Sequence, residues 1–127
     1  MKSLTFFASA IFGITTVSAC LDVNCNIESA CDGLVGDIIF TDNGVETCSF
    51  GGEPDGSGDM ITLNCISGYS ASVRDDCSYF TYNTGHGDYT QDMSYSLSTG
   101  PCCDGGFGGI GCGEYDLYYS YDGSFFC

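Results

Sequence analysis

The sequence predicts a mainly β, disulfide-rich fold: a compact antiparallel sandwich or barrel carrying one short N-terminal helix, with a mixed α+β fold as the alternative. Three observations lead there. Apolar and polar residues alternate with a period of two through run after run, the spacing of half-buried strands. Clusters of Gly, Asn, Asp and Ser separate those runs at turn-like intervals. Ten cysteines, all within residues 20–127, reach the density that marks a disulfide scaffold in a short secreted chain.

The first segment sets the compartment. Met1-Lys2-Ser3 precedes an apolar stretch from Leu4 to Val17, and small residues at Val17-Ser18-Ala19 stand before Cys20. A short basic start, an apolar core interrupted too often to span a bilayer, and a small-residue cut site make residues 1–19 a secretory signal peptide. The same junction fits a bacterial lipoprotein box with Cys20 as the lipidated residue. Cysteine parity opposes that reading. Cys20, Cys25, Cys31, Cys48, Cys65, Cys77, Cys102, Cys103, Cys112 and Cys127 make an even set, and lipidation would orphan one thiol in an oxidising space. Residues 20–127 are then one disulfide-stabilised domain. Its pairing is open, except that Cys102 and Cys103, with Cα atoms about 3.8 Å apart, should go to different partners.

Within the domain, Ile27, Ala30, Cys31 and Leu34 fall on one face of a short helix that Gly33 closes. Asn43-Gly44 then separates Asp37–Asp42 from Val45–Phe50, and this dipeptide between β-prone runs is the strongest short-range hairpin signal. A plain two-residue loop would set Ile39 opposite Cys48 and Asp37 opposite Phe50. Residues 51–58 form a Gly-rich acidic loop. Its Glu53 and Asp55, with Asp59, could hold calcium or form a plain connector, and their order does not match an EF-hand.

Ile61, Leu63 and Cys65 share one face of the next strand, Tyr69, Ala71 and Val73 one face of another, and Cys77–Tyr82 a third. Met93, Tyr95 and Leu97 alternate with serines. The Gly-rich run Gly105–Gly113 has too little apolar mass to order itself without Cys102, Cys103 and Cys112. Tyr115, Leu117, Tyr119 and Tyr121 form a last strand, with Asp122-Gly123 as a second hairpin turn before Cys127.

Charge and inventory limit the function classes. After cleavage at residue 19, Arg74 stands alone against 17 acidic residues, a surface that repels nucleic acid and anionic membranes. The lone histidine, His86, and the absence of C-x2-C pairs oppose a zinc site, and no cofactor or metal is expected. Catalysis has few candidates. Glu46, Arg74 and His86 match in type and order the carboxylate, arginine and imidazole of the fungal guanyl-specific ribonucleases, which that similarity would make base, phosphate ligand and acid. A further histidine of that family has no counterpart, and no nucleophile elbow supports a serine triad. The tyrosines are the stronger lead, because Tyr serves a recognition surface while half-exposed. Tyr79, Tyr82, Tyr89, Tyr95 and Tyr118 are the candidate binding surface, and core packing is the alternative role for them.

A signal peptide followed by roughly a hundred acidic, Gly- and Tyr-rich residues with many cysteines resembles the small secreted cysteine-rich proteins of filamentous fungi, many of them effectors in virulence. Leu21-Asp22-Val23-Asn24-Cys25 with Cys31, and the tyrosine-bearing strand running from Gly113 to the terminal Cys127, are similar to the two ends of the fungal KP4-like killer toxins. That family's His-Gly-Cys and Cys-Gly-Ser motifs are missing here. The expectation is a non-enzymatic, secreted monomer without a membrane anchor. Its target would be an extracellular protein or glycan of a host or competitor. Inhibition of fungal growth is a second expectation, and a ribonuclease-like fold with weak or lost activity is a third.

Overall fold

The computed structural model describes residues 20–30, 33–54, 58–101 and 115–127. Residues 1–19, expected to be a signal peptide, Cys31, Asp55, the Cys102-Cys103 doublet, the Gly105–Gly113 run and Cys112 lie outside the described residues. The chain forms β1 (Leu21–Ala30), β2 (Gly33–Asp42), β3 (Val45–Gly52), β4 (Met60–Thr62), β5 (Asn64–Cys65), β6 (Ser70–Arg74), β7 (Tyr79–Asn83), β8 (Asp88–Asp92), β9 (Ser96–Pro101) and β10 (Tyr115–Phe125), with no helix among the described residues. Two antiparallel sheets result, one of six strands in the order β5-β3-β2-β1-β10-β9 and one of four in the order β4-β6-β7-β8. The predicted disulfide-rich β fold is therefore present.

The expected N-terminal helix is a strand. Leu21, Val23, Cys25 and Ile27 alternate inward with Asp22 and Asn26 outward, a period of two that outweighs the helical spacing of Ile27, Ala30 and Leu34. Those three positions straddle the β1–β2 hairpin, in which Ala30 pairs with Gly33. The β2–β3 hairpin forms on Asn43-Gly44, at φ 51° and 80°, the left-handed pair that a tight hairpin turn needs and that a side chain at position 44 would resist. Its register is one step from the expected one. Phe40 pairs with Cys48 and Ile38 with Phe50, because a β-bulge between Phe40 and Thr41 inserts Thr47 as an extra residue. The bulge turns two consecutive residues, Thr47 and Cys48, into the interior.

Two strands read as continuous are corners where the chain changes sheets. At Leu63 the chain leaves β4 in the smaller sheet for β5 in the larger. At Met93, buried and with its N–H on the Ser78 carbonyl at 2.7 Å, it leaves β8 for β9. Cys77 belongs to a turn at φ 55°, not to β7. Asp122-Gly123 is not a turn either: β10 runs straight through it, pairing Asp122 with Asn24 and Gly123 with Val23. Gly123 instead leaves a slot for a ring. A Cβ there would fall 2.8 Å from Cζ of Tyr121, whose ring lies over the glycine to stack on Phe125 at 5.6 Å.

The core lies between the sheets. Phe80 of the smaller sheet meets Phe40 edge-on at 5.2 Å and Phe125 at 5.1 Å in the larger. Val23, Ile27, Ile38 and Val73 are buried around them. The Cys25–Cys77 bridge crosses from one sheet to the other, Cys48–Cys65 joins the paired strands β3 and β5, and Cys20–Cys127 ties the start of β1 to the end of β10. Such bridges persist in an oxidising compartment.

Candidate functional site

One end of the sandwich opens into a cleft of about 290 Å³. Its walls come from separate stretches of the chain. The β2–β3 turn contributes Asp42 and Asn43; β7 and β8 contribute Tyr82 and Tyr89; the β7–β8 loop brings Thr84 and His86; Tyr69 precedes β6 and Phe126 follows β10. Local chemistry holds each piece. Asn43 donates its backbone N–H to the Cys20 carbonyl at 2.9 Å and accepts the Cys20 N–H on Oδ1 at 3.2 Å, fixing the turn to the start of β1. Asn83 Oδ1 accepts the Gly85 N–H at 2.8 Å and Thr84 Oγ1 accepts the His86 N–H at 3.2 Å, side-chain turns that shape the loop. Phe126 sits at φ 60°, a conformation that costs a non-glycine residue about 1–3 kcal/mol. It is held there between β10 and the Cys20–Cys127 bridge, with its ring 5.1 Å from that of Tyr89.

Beneath the rings lies a polar chain. The phenol of Tyr82 donates to Asp42 Oδ2 at 3.2 Å, and its oxygen stands 2.8 Å from Oγ1 of the bulge residue Thr47. Burial, reinforced by the Asp42 carboxylate and opposed by the Thr47 hydrogen bond, pushes the Tyr82 phenol up to about 12. Its proton stays on the phenol oxygen at neutral pH and points at Asp42, and Asp42 Oδ1 accepts from Asn43 Nδ2 at 2.9 Å. The carboxylate therefore has neutral donors only, and no cation pairs with it among the described residues.

Of the candidate tyrosines, the structure brings Tyr82 and Tyr89 together as a cross-strand pair, with Tyr82 buried as floor and Tyr89 exposed at the rim. Tyr79 points to the opposite face of β7 from Phe80 and Tyr82. Tyr95 packs edge-on against Tyr119 at 5.6 Å in the β8–β9 corner. Tyr118 lies on the outer face of the larger sheet, where a hydrogen bond to Glu28 raises its phenol pKa and Asp116 adds to the effect. These five residues do not share one surface.

The ribonuclease-like trio does not converge. His86 follows β7 at its Asn83 end, which pairs with Ser70, while Arg74 closes the other end of β6, roughly 13 Å away at the rise of a strand. Glu46 is exposed opposite Thr41. Sequence reasoning missed Asp42, Asn43, Tyr69 and Phe126 as cleft residues. The available signals were the hairpin turn, which has to pack against something, and an aromatic residue beside a terminal cysteine. No group of histidine, cysteine or carboxylate side chains among the described residues has metal-binding geometry. Comparison with protein-family models, with curated proteins and with solved structures finds no match to this chain.

Proposed function

We propose that the protein acts outside the cell as a rigid, non-enzymatic binding protein, and that the cleft between Asn43, Tyr89 and Phe126 is where it captures its ligand. The carrying observation is the cleft itself: aromatic walls over a hydrogen-bonded carboxylate, assembled from elements tied by the sheets and by Cys20–Cys127. Ligand sites combine mostly apolar walls with a few placed polar groups in this way. Rigidity lowers the ordering cost of binding, a physical reason to cross-link so small a domain. The signal-like leader and the bridges support secretion, and the likeness to small secreted cysteine-rich fungal proteins directs the reading toward a molecule of a host or competitor.

The test is a fluorine NMR screen of the disulfide-intact protein labelled with 3-fluorotyrosine, against small cations, anions, saccharides and neutral aromatics. Compounds that fill the cleft are expected to move the Tyr69, Tyr82 and Tyr89 resonances together and to lose that effect in Tyr89→Ala. A screen in which no compound class moves those resonances would overturn the proposal.

A further inference from the structure

We infer that the ligand group this cleft takes is a guanidinium, the head of an arginine side chain presented by a basic peptide. The inference rests on the cleft being the binding site and adds the chemistry of what enters it. Aromatic rings present negative π-faces that attract a cation, and a planar guanidinium stacks on them as well. The Asp42 carboxylate stands among those rings. Each of its oxygens accepts one hydrogen bond from a neutral donor, Asn43 on Oδ1 and Tyr82 on Oδ2, and an ionised carboxylate has about four acceptor sites in all. One site per oxygen therefore remains, the pattern that a two-pronged guanidinium satisfies.

The surroundings favour the same charge. The chain carries a formal charge of −15, and Arg74 is the only lysine or arginine among the described residues, at the other end of β6 from the cleft. A field of this sign concentrates cations at a low-dielectric cleft and repels anions. An apolar occupant would strip water from Asp42 without compensation, a costly exchange. A neutral sugar could hydrogen-bond the carboxylate and stack its C–H bonds on the rings, but it would gain nothing from the net field. At about 290 Å³ the cleft lies at the small end of ligand sites, suited to one side chain rather than a whole peptide.

The test uses calorimetry and the fluorotyrosine spectra with three probes: Nα-acetyl-arginine amide, its lysine counterpart, and the neutral isostere Nα-acetyl-citrulline amide. The arginine probe is expected to bind at the tyrosines roughly tenfold or more tightly than citrulline, with an affinity that falls as salt rises. Lysine should be intermediate. Asp42→Asn, which keeps an oxygen for the Tyr82 hydroxyl, should remove the arginine preference. Tyr89→Ala, at the cleft rim, should weaken the arginine probe in a protein that still melts cooperatively. Equal binding of arginine and citrulline, or an arginine preference that survives Asp42→Asn, would overturn the inference. Saccharide binding at the tyrosines without arginine binding would overturn it and leave the cleft as the site, whereas silence from every probe and every compound class overturns both.

Discussion

The two ends of the sandwich handle their acids in opposite ways. At the cleft end, Asp42 is held by neutral donors, and Phe126 and the Asn43 turn are gathered around a bridge, Cys20–Cys127, that lies at the surface. At the far end, Asp75 lies near Asp59 and Asp76 with Arg74 as the cation beside them, and the fastening is a bridge, Cys25–Cys77, whose cysteines are both fully buried. Partial burial comes first, and the Asp76 and Asp59 charges next, in raising the Asp75 carboxyl pKa, with Arg74 opposing. One end is thus built around a carboxylate that still has room for a positive partner, and the other spends its only arginine on its own acids.

If the far end depends on its covalent tie, replacing Cys25 and Cys77 together by alanine should cost the most of any change considered, about 2–5 kcal/mol. The loss is measurable as a lowered urea midpoint. Hydrogen exchange should then accelerate first in the Arg74–Ser78 turn, where the Cys77 N–H bonds the Arg74 carbonyl at 3.0 Å, before it reaches Tyr82. Loss of protection at the cleft first would mean that the two ends are not separately fastened.

Next in size is Gly123→Ala. The new methyl would displace the Tyr121 ring from its stack on Phe125, the neighbour of the cleft residue Phe126, and crowding of this kind typically costs about 1–3 kcal/mol. Thermal melts give the cost, and a shift of the Phe125 ring resonances would show that the damage reaches the cleft. An unchanged melt would show that the slot is dispensable.

Much of the fold was legible. Alternation located the faces of Ile61–Cys65 and Tyr69–Val73, and Asn43-Gly44 located a hairpin, because both signals are local. The misreadings came where tertiary pairing decides. Whether Leu21–Ile27 forms a strand depends on partners on both sides, β2 and β10. The Thr47 bulge places its hydroxyl against Tyr82, 35 residues away, and nothing near Asp122-Gly123 announces that a ring needs the glycine's space. The cleft was half legible for the same reason. Tyr82 and Tyr89 stood out as tyrosines, whereas Asp42 and Phe126 become site residues only when chain ends and turns are brought together by the β1–β10 pairing.

Tyr82→Phe probes the polar chain under the cleft. It removes the donor to Asp42 and leaves Thr47 with only the Phe40 carbonyl at 3.4 Å, a loss of about 1–2 kcal/mol for a buried network. The same phenol sets an alkaline limit. Its folded pKa of about 12 lies above the ordinary value of 10, so the stability it contributes is complete below pH 10 and is lost as pH rises through 12. Tyrosinate absorbance and circular dichroism followed together over that range should show a last ionisation step, that of Tyr82, coinciding with unfolding. The late step should be absent from Tyr82→Phe.

The smallest effect belongs to the far end and has the same sign, with burial again the first cause and neighbouring negative charge the second. The Asp75 carboxyl holds its proton more tightly in the folded protein than the ordinary value of 3.8. The folded state therefore binds more protons than the unfolded one just above that value. The corresponding stability is complete below pH 3.8 and declines as pH rises through the folded pKa, because the charge then formed is partly buried and also faces Asp76 and Asp59. Asp75→Asn should remove that slope and leave the protein slightly more stable at neutral pH, a gain that salt diminishes by screening the same repulsion in the parent. Urea titrations from pH 3 to 7 at two salt concentrations measure it. A variant that is less stable at pH 7 would show that the attraction of Arg74 for Asp75 outweighs the crowding of the acids, and the contrast between the two ends would then disappear.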